Sequence, residues 1–382
     1  MKKLFLFLFV FINVIFIIKY TSRLNILSPY LFGILYSFAV VFFLFLYSFP
    51  LKKEKTYNFI FYFLSVLFFA LTIYINYKVD TYKLNVDRWS AMEVGIKSLL
   101  NGNYPYTAID HMGGRTSNLP TLFFIGIPFY LIGNIGYLQS FAFLVFIGIL
   151  FLSFSTYRER LLGLLLLIIS PAYLWEIYVK SDLMSNFILV LFFIAFVYKK
   201  IYPKYKNNIY LLSFLSTSLV LSRLTAIIPL ALLLFRKFYK SSTLDKLKFL
   251  SVALFTVILF FYVAFHNVES LVIFKHYNPF ELQNRQLPFI VSLILVASSF
   301  ILSFRINNYK IQIYYSVFLL FISVFLAFLL RIYKSGISES IFNSRFDISY
   351  FNIVLPFLII AIVFGYNSNP NQFSKASDDN LY

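Results

Sequence analysis

The feature of this sequence that most limits its fold is a series of apolar runs, each close to the ~20 residues needed to cross the hydrocarbon core of a bilayer. Connectors rich in Lys and Arg, or bearing Pro, Asn and Gly, separate these runs. The 382 residues are 60% hydrophobic and 13% charged, with a mean hydropathy of +0.81, which is not the composition of a soluble globular domain. The sequence therefore predicts an all-α polytopic membrane protein.

About twelve of the apolar runs are predicted to be transmembrane helices. They lie at 3–18, 29–50, 57–77, 136–155, 161–178, 183–198, 209–222, 224–235, 247–265, 288–304, 311–330 and 348–365. No small-residue cleavage site follows the first run, so it is predicted to be a retained span rather than a signal peptide. The short run at 120–133 contains two prolines and two glycines and is predicted to be an interfacial or re-entrant helix.

Charge sets the expected orientation, because Lys and Arg accumulate on the cytoplasmic side of membrane proteins. Placing both termini inside makes the basic connectors cytoplasmic and leaves 78–120, 266–287 and 331–347 as outer loops. Residues 1–366 then form one membrane domain, followed by a polar cytoplasmic tail at 367–382 that is predicted to be disordered. The net charge of +18 is best explained by contact with anionic membrane lipids and does not indicate nucleic-acid binding.

The first outer loop contains the stretch "NVDRWSAMEVGIKSLLNGNYPY", which starts at Asn85. Apolar residues recur in it at three- and four-residue steps, namely Trp89, Met92, Ile96, Leu99 and Leu100. This spacing predicts an amphipathic helix lying on the membrane surface, stopped by Gly102. Asp87 falls at the N-cap of that helix, where a carboxylate can satisfy free backbone N–H groups, so a capping role and a chemical role both stay open.

This loop resembles the first extracytoplasmic loop of the GT-C superfamily of integral-membrane glycosyltransferases. The bacterial polyprenol-phosphate-mannose-dependent members typically read Asp, aromatic, Ala, Leu-Leu-x-Gly-x-x-Pro-Tyr. The matching residues here are Asp87, Trp89, Ala91, Leu99, Leu100, Gly102, Pro105 and Tyr106. A second segment, "LSFLSTSLVLSRLTAIIPLALLLF", resembles the family's small-residue helix that runs into a cation, with Ser in place of the usual Gly. The resemblance covers residues 80–235, and three spans precede the loop where many relatives have one.

The resemblance implies transfer of a hexose from a polyprenyl-phosphate donor to a lipid-linked or cell-envelope glycan acceptor on the outer face. It implies that Asp87 is the general base, with Asp80 as the alternative base, and that the transfer inverts the anomeric centre. Cations would stabilise the departing phosphate. Arg223 is the first candidate because an arginine at the tip of a short membrane hairpin is costly, and Lys180, Arg285 and Arg345 are the others.

Six residues are expected to bind the substrates: Trp89, Tyr106, Glu176, Asp182, His276 and Asn278. Each also has an ordinary structural explanation. Asp182 follows Lys180 in a hydrated turn between two spans, and the loop carrying His276 has the composition of an interfacial loop.

The chain contains no Cys and no His, Asp and Glu set with metal-ligand spacing. No cofactor or metal is therefore predicted, although this does not exclude a hydrated Mg²⁺ on one or two carboxylates. Two other functions stay open, namely an O-antigen-type polymerase or ligase of lipid-linked glycans and a multi-pass transporter or flippase. The expected location is a bacterial inner membrane.

Overall fold

The computed structural model describes residues 1–24, 27–49, 53–202 and 208–366. The predicted disordered tail at 367–382 lies outside the described residues, as do parts of the predicted basic connectors at 50–52 and 203–207. Within the described ranges the chain is helical and forms no strand, and Ile109 and Arg115 make an isolated antiparallel bridge. The prediction of an all-α protein is confirmed.

The α-helices follow one another along the chain as α1 (Lys2–Thr21), α2 (Pro29–Ser48), α3 (Glu54–Lys78), α4 (Arg88–Leu100), α5 (Pro120–Leu131), α6 (Tyr137–Ser153), α7 (Tyr157–Ile168), α8 (Pro171–Tyr178), α9 (Leu183–Phe196), α10 (Ile209–Val220), α11 (Ile227–Lys240), α12 (Thr243–Phe265), α13 (Leu271–His276), α14 (Pro279–Asn284), α15 (Phe289–Ser303), α16 (Tyr309–Ser335), α17 (Ile337–Ile341) and α18 (Leu355–Tyr366). A π-helical turn at Val197–Ile201 extends α9, and short 3-10 helices lie at Thr81–Lys83, Pro105–Thr107, Leu224–Ala226 and Ile348–Ile353.

Six helices among the described residues are long and apolar enough to span a bilayer: α1, α2, α3, α9 with its π-helical turn, α12 and α16. The number rises to eight if two bent pairs each count as one span, α7 with α8 (62°) and Leu271–Asn284 with α15 (59°). These helices are those of a multi-pass membrane protein.

The predicted count of twelve spans is not confirmed. The helices found at the runs 136–155, 209–222, 224–235 and 348–365 have 17, 12, 14 and 12 residues, and the third extends past its run to Lys240. A helix rises 1.5 Å per residue, so a 12-residue helix covers only about 18 Å of a ~30 Å hydrocarbon core. The run at 120–133 forms the 12-residue helix α5, which is likewise too short to cross alone.

Helix α18 forms the centre of the bundle. Its residues from Leu355 to Phe364 are all buried, and it packs against α1, α7, α9 and α16. This helix is apolar on every side, and the helices around it cover its whole surface. The peripheral helices α2, α3 and α12 instead leave large apolar side chains exposed, among them Phe38, Phe59 and Leu254. That outer surface suits contact with lipid.

The break between α7 and α8 follows from local sequence. Pro171 occupies the first turn of α8 and has no backbone N–H, so α7 cannot run on through it. The Ser170 hydroxyl instead accepts a hydrogen bond from the Tyr173 N–H at 3.4 Å and starts the new helix. The bend directs α8 towards the loop at 179–182, which contributes two charged residues to the candidate site.

Candidate active site

Asp87 lies immediately before α4, at the predicted N-cap position, but its side chain makes no capping hydrogen bond. The capping explanation for this carboxylate is therefore not supported. The predicted helix itself is present, and it ends at Leu100 just before Gly102, whose φ of 72° is one that glycine adopts without strain. Met92 and Ile96 of α4 pack in a small apolar cluster with Phe123 of α5. This contact holds α4 against α5.

Asp87 is exposed at the surface, yet the atoms of the loop around it take up part of its hydration shell. This desolvation is the largest influence on the carboxyl and raises its pKa, which Arg88 opposes. Asp110 and Asp347 add to the increase because they bring further negative charge. A raised pKa is what a carboxylate needs to accept a proton efficiently near neutral pH.

Arg88 connects the start of α4 to the segment that precedes α18. Its guanidinium forms an ion pair with Asp347 and lies 5.2 Å from the centre of the Tyr350 ring. Asp347 also accepts hydrogen bonds from the backbone N–H (2.9 Å) and the hydroxyl (2.6 Å) of Ser349. Burial alone would raise the pKa of Asp347, but Arg88 and Ser349 outweigh it and hold the pKa below its usual range.

Arg223 lies at a buried junction between α10 and α11 and is 5% exposed. It forms an ion pair with Asp182 through Nε (3.1 Å) and Nη2, and Nη2 also donates to Asn118 Oδ1 at 3.3 Å. Within the described residues its third nitrogen, Nη1, has no hydrogen-bond partner. The structure therefore joins two predicted site residues that lie 41 positions apart in the chain.

A cavity of about 300 Å³ lies beside Arg223. Residues from α9, α10, α11, α15, α16 and the segments around them line it, and most of the lining is apolar, including Leu183, Ile228, Leu287, Leu293, Val324 and Ile353. Arg223, Gln283 and Tyr350 supply polar groups. Gln283 bridges two other segments, because its Oε1 accepts from the Leu224 N–H (2.9 Å) and its Nε2 donates to the Ser117 carbonyl (2.7 Å).

Glu176 is fully buried and organises the start of α9. Its Oε1 accepts the Met184 N–H at 2.6 Å, and its Oε2 accepts the Asn352 side-chain amide at 2.7 Å. It thus satisfies a free N–H of α9 in place of Asp182, whose own carboxylate faces Arg223. Of the two acidic residues predicted to bind substrate here, only Asp182 contacts a residue that lines the cavity.

Lys180 is 7% exposed and has a φ of 53°, an unusual backbone angle for a residue with a side chain. Burial lowers the pKa of its amine, while Glu93 of α4 and Asp80 oppose that change. Burial also raises the pKa of Glu93. Lys180 is therefore close enough to Glu93 of α4 for the two charges to interact, but it does not line the cavity beside Arg223.

Three other charged candidates lie at the surface. Asp80 accepts a hydrogen bond from the Tyr82 N–H at 3.2 Å and forms an exposed salt bridge with Lys83 at 3.5 Å. Arg345 lies 3.8 Å from Glu339, also in an exposed pair. Arg285 is exposed at the end of α14, between two residues that line the cavity, Asn284 and Gln286. Exposed ion pairs contribute little to stability, so these side chains can leave their partners to contact a bound ligand.

The two aromatic candidates pack inside the loop. Trp89 is 3% exposed and lies against Tyr82 and His111, with ring centres 4.8 Å and 5.1 Å away. Tyr106 is 1% exposed and stacks on Phe265 at 5.2 Å. Neither lines the cavity, and both hold the first outer loop in place. Their predicted contact with sugar stays a prediction.

His276 and Asn278 lie in the second predicted outer loop. The His276 carbonyl and ring accept hydrogen bonds from Arg115 (2.8 and 3.2 Å), which connects this loop to the first one. Asn278 caps α14 by accepting the Phe280 N–H at 3.0 Å. Both residues therefore position the short helix that carries Gln283 to the edge of the cavity.

Sequence reasoning missed three groups that the fold brings to this site. Arg88 pairs with Asp347, 259 positions away, and Asn118 pairs with the predicted Arg223, 105 positions away, which no local pattern reveals. Asp110 lies in a turn closed by Ile109 and Arg115. The signal available for it was the adjacent "HMGG" sequence, because paired glycines mark a tight turn that a preceding Asp often stabilises. Among the described residues no group of three or more His, Cys, Asp or Glu could hold a metal ion.

Compared with known proteins, the chain matches no family model, no curated protein and no solved structure. The assignment to the GT-C superfamily therefore stays a prediction from the sequence.

Proposed function

We propose that this protein is a membrane glycosyltransferase that moves a hexose from a polyprenyl-phosphate donor to a lipid-linked or cell-envelope glycan acceptor. The observation that carries the proposal is an arginine beside an apolar cavity of about 300 Å³. A polyprenyl phosphate joins an apolar chain to an anion, so it needs an apolar cavity with a cation beside it. A guanidinium binds phosphate through paired N–H donors, and Nη1 of Arg223 still has its hydrogen-bonding capacity.

The chemistry assigns Asp87 the role of general base. Its carboxylate takes the proton from the acceptor hydroxyl while that oxygen attacks C1 of the donor sugar. The bond between C1 and the phosphate oxygen breaks, and the phosphate leaves as an anion that Arg223 stabilises. A single displacement of this kind inverts the anomeric centre. Arg88 follows Asp87 in sequence. Burial lowers the pKa of its guanidinium, but Asp347, Tyr350 and then Asp182, the ion-pair partner of Arg223, outweigh this and raise it.

We place the site on the extracytoplasmic face of a bacterial inner membrane, with both termini in the cytoplasm. The basic residues support this orientation, since Arg236, Lys237 and Lys240 end α11 at the opposite end from Arg223. A divalent cation is not required by this mechanism. The alternative base is Asp80. The alternative cations for phosphate binding are Lys180, Arg285 and Arg345.

The orientation predicts that a cysteine replacing Met112 is labelled from outside intact spheroplasts, whereas one replacing Lys240 is labelled only after the membrane is opened. Both positions are exposed, and the chain contains no native Cys that would add background. Labelling is measured with a membrane-impermeant maleimide. Labelling of position 240 in intact spheroplasts would show that the orientation is wrong.

If the lipid chain of the donor occupies the cavity, Ser292→Phe is expected to weaken donor binding at least about tenfold, which corresponds to ~1.4 kcal/mol of binding free energy. Ser292 lines the cavity from α15 and is half-buried, so the added ring occupies space meant for the lipid chain. Ser298→Phe is the matched control, because it lies on the same helix but does not line the cavity. The measurement is initial rate against donor concentration in proteoliposomes. Equal donor dependence in both variants would contradict the cavity assignment.

One observation favours a second candidate, a lipid-linked glycan flippase. Transporters often use broken helices beside buried ionisable groups, and Glu176 lies on α8, the second half of a broken pair. In the proteoliposome experiment this candidate predicts lipid movement between leaflets, impaired by Ser292→Phe, with no glycosylated product. An O-antigen-type polymerase or ligase would instead form product from a glycan-diphosphate lipid and not from a monophosphate donor.

A further inference from the structure

A second carboxylate faces the proposed base, and it comes from the turn between Ile109 and Arg115. Asp110 is 6% exposed. Its Oδ1 accepts the backbone N–H groups of Met112 (2.8 Å) and Gly114 (3.0 Å), which locks the side chain in one orientation. Its other oxygen, Oδ2, is buried and has no hydrogen-bond partner. A buried carboxylate oxygen without a partner is costly and calls for an explanation.

Gly114 shows what Oδ2 faces. A Cβ atom added to this glycine would lie 2.6 Å from Asp110 Oδ2 and 3.4 Å from Asp87 Oδ2. The two carboxylate oxygens therefore lie no more than about 6 Å apart, both close to a position that only a glycine leaves open. No side chain separates them there.

The other charges around Asp87 are largely compensated. Arg88 and Asp347 form an ion pair with each other. Asp110 makes no salt bridge within the described residues. In the part of the chain that the structure describes, it is a carboxylate near Asp87 that has no ion-pair partner.

We infer that Asp110 is a positioning residue that holds an uncompensated negative charge against Asp87 across Gly114, so that Asp87 takes the acceptor's proton more readily. This inference rests on the proposed function, because it takes Asp87 as the base. Like charges at this separation favour the protonated form of one partner. Desolvation and then the charges of Asp110 and Asp347 raise the pKa of Asp87, against the opposing influence of Arg88.

Asp110→Asn is the sharpest test, because asparagine has the same shape. Its Oδ1 keeps the two backbone hydrogen bonds, while its NH₂ replaces the repelling oxygen with a donor directed at Asp87. The acid limb of the kcat/KM profile is expected to move to lower pH by about half to one unit, from the Coulomb energy of two charges about 6 Å apart at an effective dielectric constant of about 40 to 80. A residue that only holds the turn together would leave this limb unmoved, so an unmoved limb overturns the inference.

A second measurement works without any sugar transfer. The pKa of Asp87 is raised in the folded state, so its contribution to stability is present at low pH and is lost as pH rises through the folded pKa. Asp110→Asn removes part of that loss, and its melting temperature is expected to exceed the wild type's near pH 8 but not near pH 4. Asp245→Asn, at a half-buried site in the first turn of α12, is the charge control and is expected to show no such pH-dependent gain.

The two measurements separate the possible failures. If no donor supports transfer but the melting difference appears, the carboxylate pairing holds and the proposed function fails. If transfer depends on Asp87 but the melting difference is absent, the pairing is wrong and the proposed function stands. Should Asp110→Asn not fold, Asp87→Asn removes the other partner and is expected to show the same gain near pH 8. Absence of that gain would also overturn the pairing.

Discussion

Asp87→Asn is expected to reduce sugar transfer about 100-fold to 10,000-fold, the range typical for loss of a general base. The amide keeps the shape of the side chain but cannot take up the acceptor's proton. Because the Asp87 carboxylate makes no capping hydrogen bond to α4, the exchange removes no contact that holds the helix. The measurement is transfer of radiolabelled sugar in membranes, normalised to the amount of folded protein.

Two controls sharpen this experiment. Asp80→Asn removes the alternative base, whose carboxylate is engaged with Tyr82 and Lys83 at the surface, and is expected to retain most of the transfer rate. Asp245→Asn reports the effect of losing a surface charge far from the site. A wild-type rate for Asp87→Asn in normally accumulated protein would remove Asp87 from the chemistry, and a large loss in Asp80→Asn alone would move the base to that residue.

Local features of the site were predictable because they depend on residues close together in sequence. The periodic apolar residues between Trp89 and Leu100 predicted α4, and Gly102 predicted its end. The cost of an arginine between two short apolar runs predicted that Arg223 would be sheltered. The structure confirms that shelter and supplies the partner, Asp182.

Other features could not be predicted, because they depend on which helices pack together. Apolar runs of similar composition became a fully buried helix in α18 and an exposed one in α2. Glu176 looked like a substrate contact, yet it satisfies the start of α9 from eight residues away. Composition fixes that a run avoids water, but only the fold decides whether protein or lipid covers it.

Arg88 links the two halves of the proposed reaction. It follows the base in sequence, pairs with Asp347, and lies over Tyr350, which lines the cavity. A chain that enters the cavity therefore contacts the residue against which Arg88 rests. In this arrangement α4 cannot shift far from Tyr350 without breaking a half-buried ion pair.

Arg223→Ala is expected to lower the free energy of unfolding by about 3–5 kcal/mol, because it leaves a buried carboxylate without its partner. Asp182 is 2% exposed, and its Oδ1 already lacks a hydrogen bond. The single variant therefore confuses loss of fold with loss of function. A thermal-unfolding measurement in detergent checks the predicted loss, and an unchanged melting temperature would show that the pair contributes little to the fold.

The double variant Asp182→Asn with Arg223→Gln resolves this difficulty, since it removes both charges and keeps groups that can hydrogen-bond to each other and to Asn118. We expect it to recover most of the stability lost in Arg223→Ala and still to lose transfer about 100-fold or more, as one charged donor aimed at a developing anion is worth that much. Arg223→Lys keeps a charge without the paired donors and is expected to fall between them. If the double variant transfers sugar at the wild-type rate, Arg223 serves the fold alone, and the cation for the phosphate has to be sought at Lys180, Arg285 or Arg345.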